Sequence, residues 1–94
     1  MKNKKAVQKK ARILRNYQFI NEYKNRRACT DCGKSYHSSV MEFDHIMNDK
    51  RFNIADAVRN GLSLKALEAE ILKCELVCAN CHRLRTFLRR EGLE

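Results

Sequence analysis

Two Cys-x2-Cys pairs punctuate this chain, Cys29 with Cys32 in "CTDC" and Cys78 with Cys81 in "CANC". Two residues between thiolates let one turn aim both sulfurs inward, and two such turns close a four-sulfur site suited to zinc. The pairs stand far apart in the sequence, so the metal would staple the segment after the N-terminal arm to the start of the last helix. Its binding energy would then count toward folding. Cys74 lies outside both pairs and reads as a small buried hydrophobe. A nucleophilic role would need a positioned base, and the sequence identifies none for it.

Once four thiolates fill a zinc site, His37, His45 and His82 are left over for different work. His45 follows Asp44 at the end of a predicted strand, where neighbours point to opposite faces. On its own the dipeptide is equally a turn entry with a surface histidine. His82 directly follows Cys81, about 100° further around a helix, and can look away from the zinc into a cleft or simply into solvent. His37, in "SYHSS", reads as a surface hairpin residue or as one approaching a functional site.

Positioning these groups falls to a small set of elements. At 94 residues, one third of them charged, the chain makes one domain with a small core, a size at which metals or disulfides often supplement packing. "MKNKKAVQKKARILRNYQ" has no apolar segment of a secretory signal, and no run approaches a membrane span. Paired cysteines are therefore expected in a reducing cytoplasm, where they mean metal more often than disulfide.

Residues 5–25 read as a basic helix, with Ile13, Tyr17 and Ile20 at helical spacing and Leu14 widening the stripe. Gly33 suits the turn of the first metal knuckle. "SVMEFDHI" alternates as a strand, "IADAVRN" follows Asn53 as a short helix stopped by Gly61, and Ser63 caps "LKALEAEILK". "CELVC" reads as a second short strand. A last helix runs from Cys81, with Leu84, Phe87 and Leu88 on it and Gly92 at its end. The expected fold class is α+β with a small sheet.

Charge is unevenly placed. Residues 1–28 carry Lys2, Lys4, Lys5, Lys9, Lys10, Arg12, Arg15, Lys24, Arg26 and Arg27 against Glu22 alone, whereas the remainder is balanced. The net charge of +9 therefore belongs to the arm, which suits a polyanion or a solvated tail. The sequence divides into a basic arm or helix, 1–28, and a neutral domain, 29–94.

"CTDCG", "EFDHI" and "CELVCANCHRLRT", in that order, resemble the HNH nuclease family, and specifically its small zinc-stapled phage members. The resemblance covers roughly residues 17–88. It implies a ββα-metal finger braced by a four-cysteine zinc, with extra short helices between the two strands. It further implies that Asp44 and His82 ligate a catalytic divalent cation (Mg²⁺, Mn²⁺ or Ni²⁺) and that His45 is the general base. The family's middle Asn precedes the knuckle cysteine by a few residues, but here that neighbourhood reads "LKCELVC", with Lys73 or Cys74 in its place. Asn80, inside the knuckle, is the remaining candidate amide.

The expectation is thus a metal-dependent DNA endonuclease that nicks or cuts with little sequence preference. Arg83 and Arg85 would grip phosphates beside the cut, and Lys9, Lys10, Arg12 and Arg15 would offer a second contact surface. The resemblance places such a protein in the bacterial cytoplasm during phage or prophage activity, with phage packaging proteins as further partners and no membrane. The rival is a non-catalytic zinc module that binds nucleic acid through its arm, and a third reading is an adaptor docked on a phage machine.

Overall fold

The computed structural model describes residues 4–93; Lys2 of the basic arm lies outside them. Helix α1 spans Lys4–Asn25, strand β1 Met41–His45, helix α2 Ile54–Arg59, helix α3 Leu64–Ile71, strand β2 Cys74–Cys78 and helix α4 Ala79–Arg90. A short 3-10 turn, Ser38–Val40, leads into β1. The protein is a small α+β fold whose two strands pair antiparallel, Met41 opposite Cys78 and His45 opposite Cys74.

Each strand is five residues long, and two strands alone are marginal in water. Their stability comes from packing. Cys29, Met41, Leu76, Val77 and Cys78 form one buried cluster. Ile20, Ile54, Ala57, Val58, Leu67 and Ile71 form the other, and Phe43 of β1 packs against both. Ser63 caps α3 as expected, its hydroxyl accepting from the Ala66 amide at 3.1 Å. Asn53 stands at the N-cap of α2, but its side chain makes no capping bond and donates instead to Asp56.

The apolar stripe of α1 differs from the expected one. Leu14 and Tyr17 are exposed, and the fully buried residues are Asn16 and Ile20. The reason is what α1 lies against. At the α2–α3 turn, Asn16 donates to the Leu62 carbonyl at 2.9 Å, Arg15 to the same oxygen at 3.0 Å, and Arg12 to the Gly61 carbonyl at 3.2 Å. Gly61 has φ +70°, a left-handed conformation that favours glycine. A buried asparagine costs little when its amide is bonded in this way. Ile20 joins the core beside α2 and α3, so α1 packs onto the other helices of the described fold.

The last helix begins at Ala79, two residues before the expected Cys81, because Cys78 serves as its N-cap. None of its residues is buried. Leu84 and Phe87, expected to continue a helical stripe, face solvent. No helix among the described residues is long and apolar enough to cross a membrane.

Candidate metal centre and active site

The four paired cysteines come together as the spacing predicts. The ligand atoms of Cys29, Cys32, Cys78 and Cys81 all lie within 4.8 Å of one another. Each pair sits on a turn that frees its sulfurs. In the first, Gly33 at φ +74° lets its amide reach the Cys29 carbonyl at 2.9 Å, and the Cys29 amide reaches the Lys34 carbonyl. In the second, the Cys78 sulfur accepts from the Cys81 amide at the start of α4. Thr30 ties the two together by donating amide and hydroxyl to the Leu76 carbonyl of β2.

The chemistry of this donor set fits a cation. Burial disfavours a thiolate at Cys29, yet the backbone amides of Cys32, Cys78 and Asp31 outweigh it and lower its pKa to about 6. The crowding falls on Cys81, pushed up to about 12 by its bond to Cys78 and by burial. Four adjacent thiolates are mutually unfavourable unless a positive ion sits among them, and the donor set is compatible with a structural zinc. Cys74 is separate. Its half-buried thiol lies 3.5 Å from the Glu70 carbonyl, and burial and neighbouring carboxylates raise it to about 11, a neutral packing group.

Beyond the cysteine cluster, β1 and the first turn of α4 bring Asp44 and His82 together. His82 Nε2 lies 3.5 Å from Asp44 Oδ1. The other imidazole nitrogen, Nδ1, is 2.7 Å from Glu42 Oε1. A carboxylate on one ring nitrogen fixes the tautomer and leaves the other nitrogen's lone pair outward, the usual arrangement behind a metal-ligating histidine. Glu42 lies two residues before Asp44 on β1, on the same strand face; nothing in the sequence pattern singles it out beyond that spacing.

Asp44 is 4% exposed, and two guanidiniums share it. Arg89 donates to Oδ1 at 2.8 Å and to Oδ2 at 2.6 Å, and Arg85 donates to Oδ2 at 2.8 Å. The Arg89 bond, with Arg85 behind it, overcomes burial and holds the Asp44 carboxyl at about 2. Arg85 also bonds both oxygens of Asp31 at 2.6 Å and meets Glu75 Oε1 at 2.8 Å. This arginine therefore bridges the first cysteine turn to both strands. Its expected grip on phosphate is replaced by three carboxylates, because the short strands place Asp31, Asp44 and Glu75 around one side of α4. Arg83, on the same helix, is exposed.

His45 points elsewhere, as alternation along β1 requires. Its Nε2 lies 2.9 Å from Glu70 Oε2. Glu70 is 1% exposed and also accepts from the Arg51 amide at 3.0 Å and from Lys73 at 3.1 Å. Burial alone would raise its carboxyl, but the Arg51 amide, Lys73 and His45 more than offset that and leave it lowered. Lys73 also donates to the Asp49 carbonyl at 2.9 Å, and its own carbonyl accepts from the Ile46 amide. The loop that follows His45 is thus braced by Lys73.

A groove of about 1050 Å³ between α1, β1 and α2 is lined by Asp44, His45 and His82 together, with Glu42, Lys24 and Tyr17 along its walls. A second groove is lined by His45, Glu75, Arg85 and Arg89. His45 is reached from both. His37 caps the 3-10 turn, its Nδ1 accepting from the Ser39 amide at 3.1 Å, and it too borders the first groove. Asn80 is exposed, and its side chain makes no hydrogen bond among the described residues. It lies two residues before His82, about 200° around the helix, on a different side of α4 from the histidine.

Of the basic residues expected to meet nucleic acid, Arg12 and Arg15 are engaged with the carbonyls of the α2–α3 turn, and the Lys9 stem packs over Gly61. Lys10 is exposed. Comparison with protein-family models, with curated proteins and with solved structures finds no match to this chain.

Proposed function

We propose that this protein is a metal-dependent DNA endonuclease of HNH type, its fold stapled by zinc. The observation that carries the reading is the convergence of Asp44 and His82, 3.5 Å apart, in one groove with His45. A carboxylate oxygen and an imidazole nitrogen at that separation suit two neighbouring positions around a hard cation, whose bonds to such donors are about 2.1 Å long. Asp44 and His82 would hold Mg²⁺, Mn²⁺ or Ni²⁺. Such an ion, when bound, supplies Lewis acidity for the charge that builds on the phosphate and the leaving 3′ oxygen.

The chain's own groups divide the remaining work. His45 accepts the proton of the attacking water, the work of a general base. Glu42 holds His82 with Nε2 toward Asp44. Arg83 offers an exposed guanidinium one residue from His82, placed for a flanking phosphate. Arg89 is 38% exposed at its side chain, Arg85 only 11%. Sharing of Asp44 Oδ1 with a cation therefore falls to Arg89, and metal affinity should be modest. The basic residues of α1 supply sequence-independent attraction to the duplex.

One observation favours a second reading. Both oxygens of Asp44 already accept from guanidiniums, as they would if the carboxylate served only to hold α4 on the sheet. The protein would then be a zinc-stapled nucleic-acid-binding module. Nicking of supercoiled plasmid by wild type, His45→Ala and His82→Ala separates the two: the nuclease loses cleavage in both variants and keeps binding, while the module binds and never cuts.

A further inference from the structure

Two histidines in this groove each rest on a carboxylate, and only the Glu42–His82 pair belongs to the cation site. The other pair, Glu70 with His45, joins a helix residue to a strand residue and lies on the opposite side of β1 from Asp44. Glu70 stands in the last turn of α3 at a buried position, where a carboxylate is costly unless its oxygens are bonded. Here they are. Oε1 accepts from Lys73, and Oε2 faces both the Arg51 amide and His45 Nε2. An acceptor already ionised by a lysine and an amide calls for a hydrogen on the imidazole nitrogen that meets it.

The opposite ring nitrogen has different surroundings. His45 Nδ1 has no hydrogen-bond partner among the described residues, and none of their side-chain nitrogens or oxygens is both buried and unpartnered. Nδ1 is therefore open to solvent, and His45 lines both grooves. A general base needs this arrangement, with one nitrogen carrying the proton and anchored, the other bare and within reach of water.

We propose that Glu70 is a positioning residue for His45: by accepting Nε2–H at 2.9 Å it fixes the ring and presents the Nδ1 lone pair to the water that attacks the phosphodiester. The water's proton passes to Nδ1, its oxygen forms the new bond to phosphorus, and the 3′ oxygen departs with the electron pair of the broken bond. Glu70 touches neither substrate nor cation. Lys73 and the Arg51 amide keep it ionised and immobile, and the same lysine holds the Asp49 carbonyl, so carboxylate and loop are set as one unit. This role rests on the nuclease reading.

The test combines a spectroscopic and a kinetic measurement. Long-range ¹⁵N–¹H correlation of the zinc-loaded full chain reports which ring nitrogen of His45 bears hydrogen, independently of cleavage. The expected result is the Nε2–H form in wild type and a clear loss of its dominance in Glu70→Gln, since one amide oxygen cannot serve Lys73, the Arg51 amide and His45 together. With plasmid DNA and Mn²⁺, Glu70→Gln should lower kcat about ten- to a hundred-fold with KM and zinc content unchanged. An Nδ1–H tautomer in wild type overturns the proposal, and remains decisive if Glu70→Gln fails to fold. It is overturned equally by a folded Glu70→Gln that cleaves at the wild-type rate, or by a fall in kcat with the tautomer unaltered. A wild type that cuts nothing defeats the nuclease reading, and with it any catalytic role for Glu70, while the tautomer still shows whether Glu70 orients the ring.

Discussion

Asp44 of β1 and His82 of α4 meet with Nε2 3.5 Å from Oδ1, and the turn of Cys78 and Cys81 is what brings them there. Cys78 ends β2 and caps α4, so the turn that delivers two sulfurs to the metal also sets the angle at which α4 leaves the sheet. His82 follows the last of those cysteines directly. The second pair of cysteines and His82 are consecutive parts of one turn, and Asp44 comes to it from β1.

Zinc removal should therefore abolish the fold and not merely loosen it. Cys78→Ser is expected to lose cooperative thermal unfolding and bound zinc, and a strong chelator should do the same to the wild type. His82→Ala should retain both. Circular dichroism melting with metal analysis checks this, and a folded, zinc-loaded Cys78→Ser protein would refute the ligand assignment.

Arg83 and Arg85 lie two residues apart on α4 but should fail differently. Arg85→Ala removes the guanidinium shared by Asp31, Asp44 and Glu75 and is expected to cost about 3 kcal/mol in urea unfolding. Arg83→Ala should leave stability within about 0.5 kcal/mol while weakening DNA binding. Equal stability losses in the two variants would contradict the division.

On α1, the exposed Lys10 and the anchored Arg15 separate charge from structure. Lys10→Ala should keep the melting temperature and reduce by about one the slope of log binding constant against log salt, as one phosphate contact disappears. An unchanged slope would remove Lys10 from the contact surface.

Period and turn chemistry make most elements of this fold legible in the sequence. Both strands, the Ser63 cap and the two knuckles follow from local pattern, and the four cysteines meet as their spacing requires. Asn16 is not legible, because a helix stripe scored on apolarity cannot find an amide that answers a carbonyl on another element. Nor are Glu42 and Glu70. Their importance comes from strand register and from the seating of α3, which set each carboxylate against a histidine far away in sequence. Arg85 illustrates the reverse, a residue whose type suits phosphate but whose neighbours in the folded chain are Asp31, Asp44 and Glu75.

Whether Asp44, His45 and His82 form one hydrolytic site is decided by the conversion of supercoiled plasmid to nicked circles by zinc-loaded protein, with Mg²⁺, Mn²⁺ or Ni²⁺ added. Metal-dependent nicking by the wild type is expected. His45→Ala and His82→Ala should each lose at least about a hundredfold of that activity, with DNA binding intact in both. Equal cleavage by all three proteins, or none under any metal, would contradict a single site built from these residues.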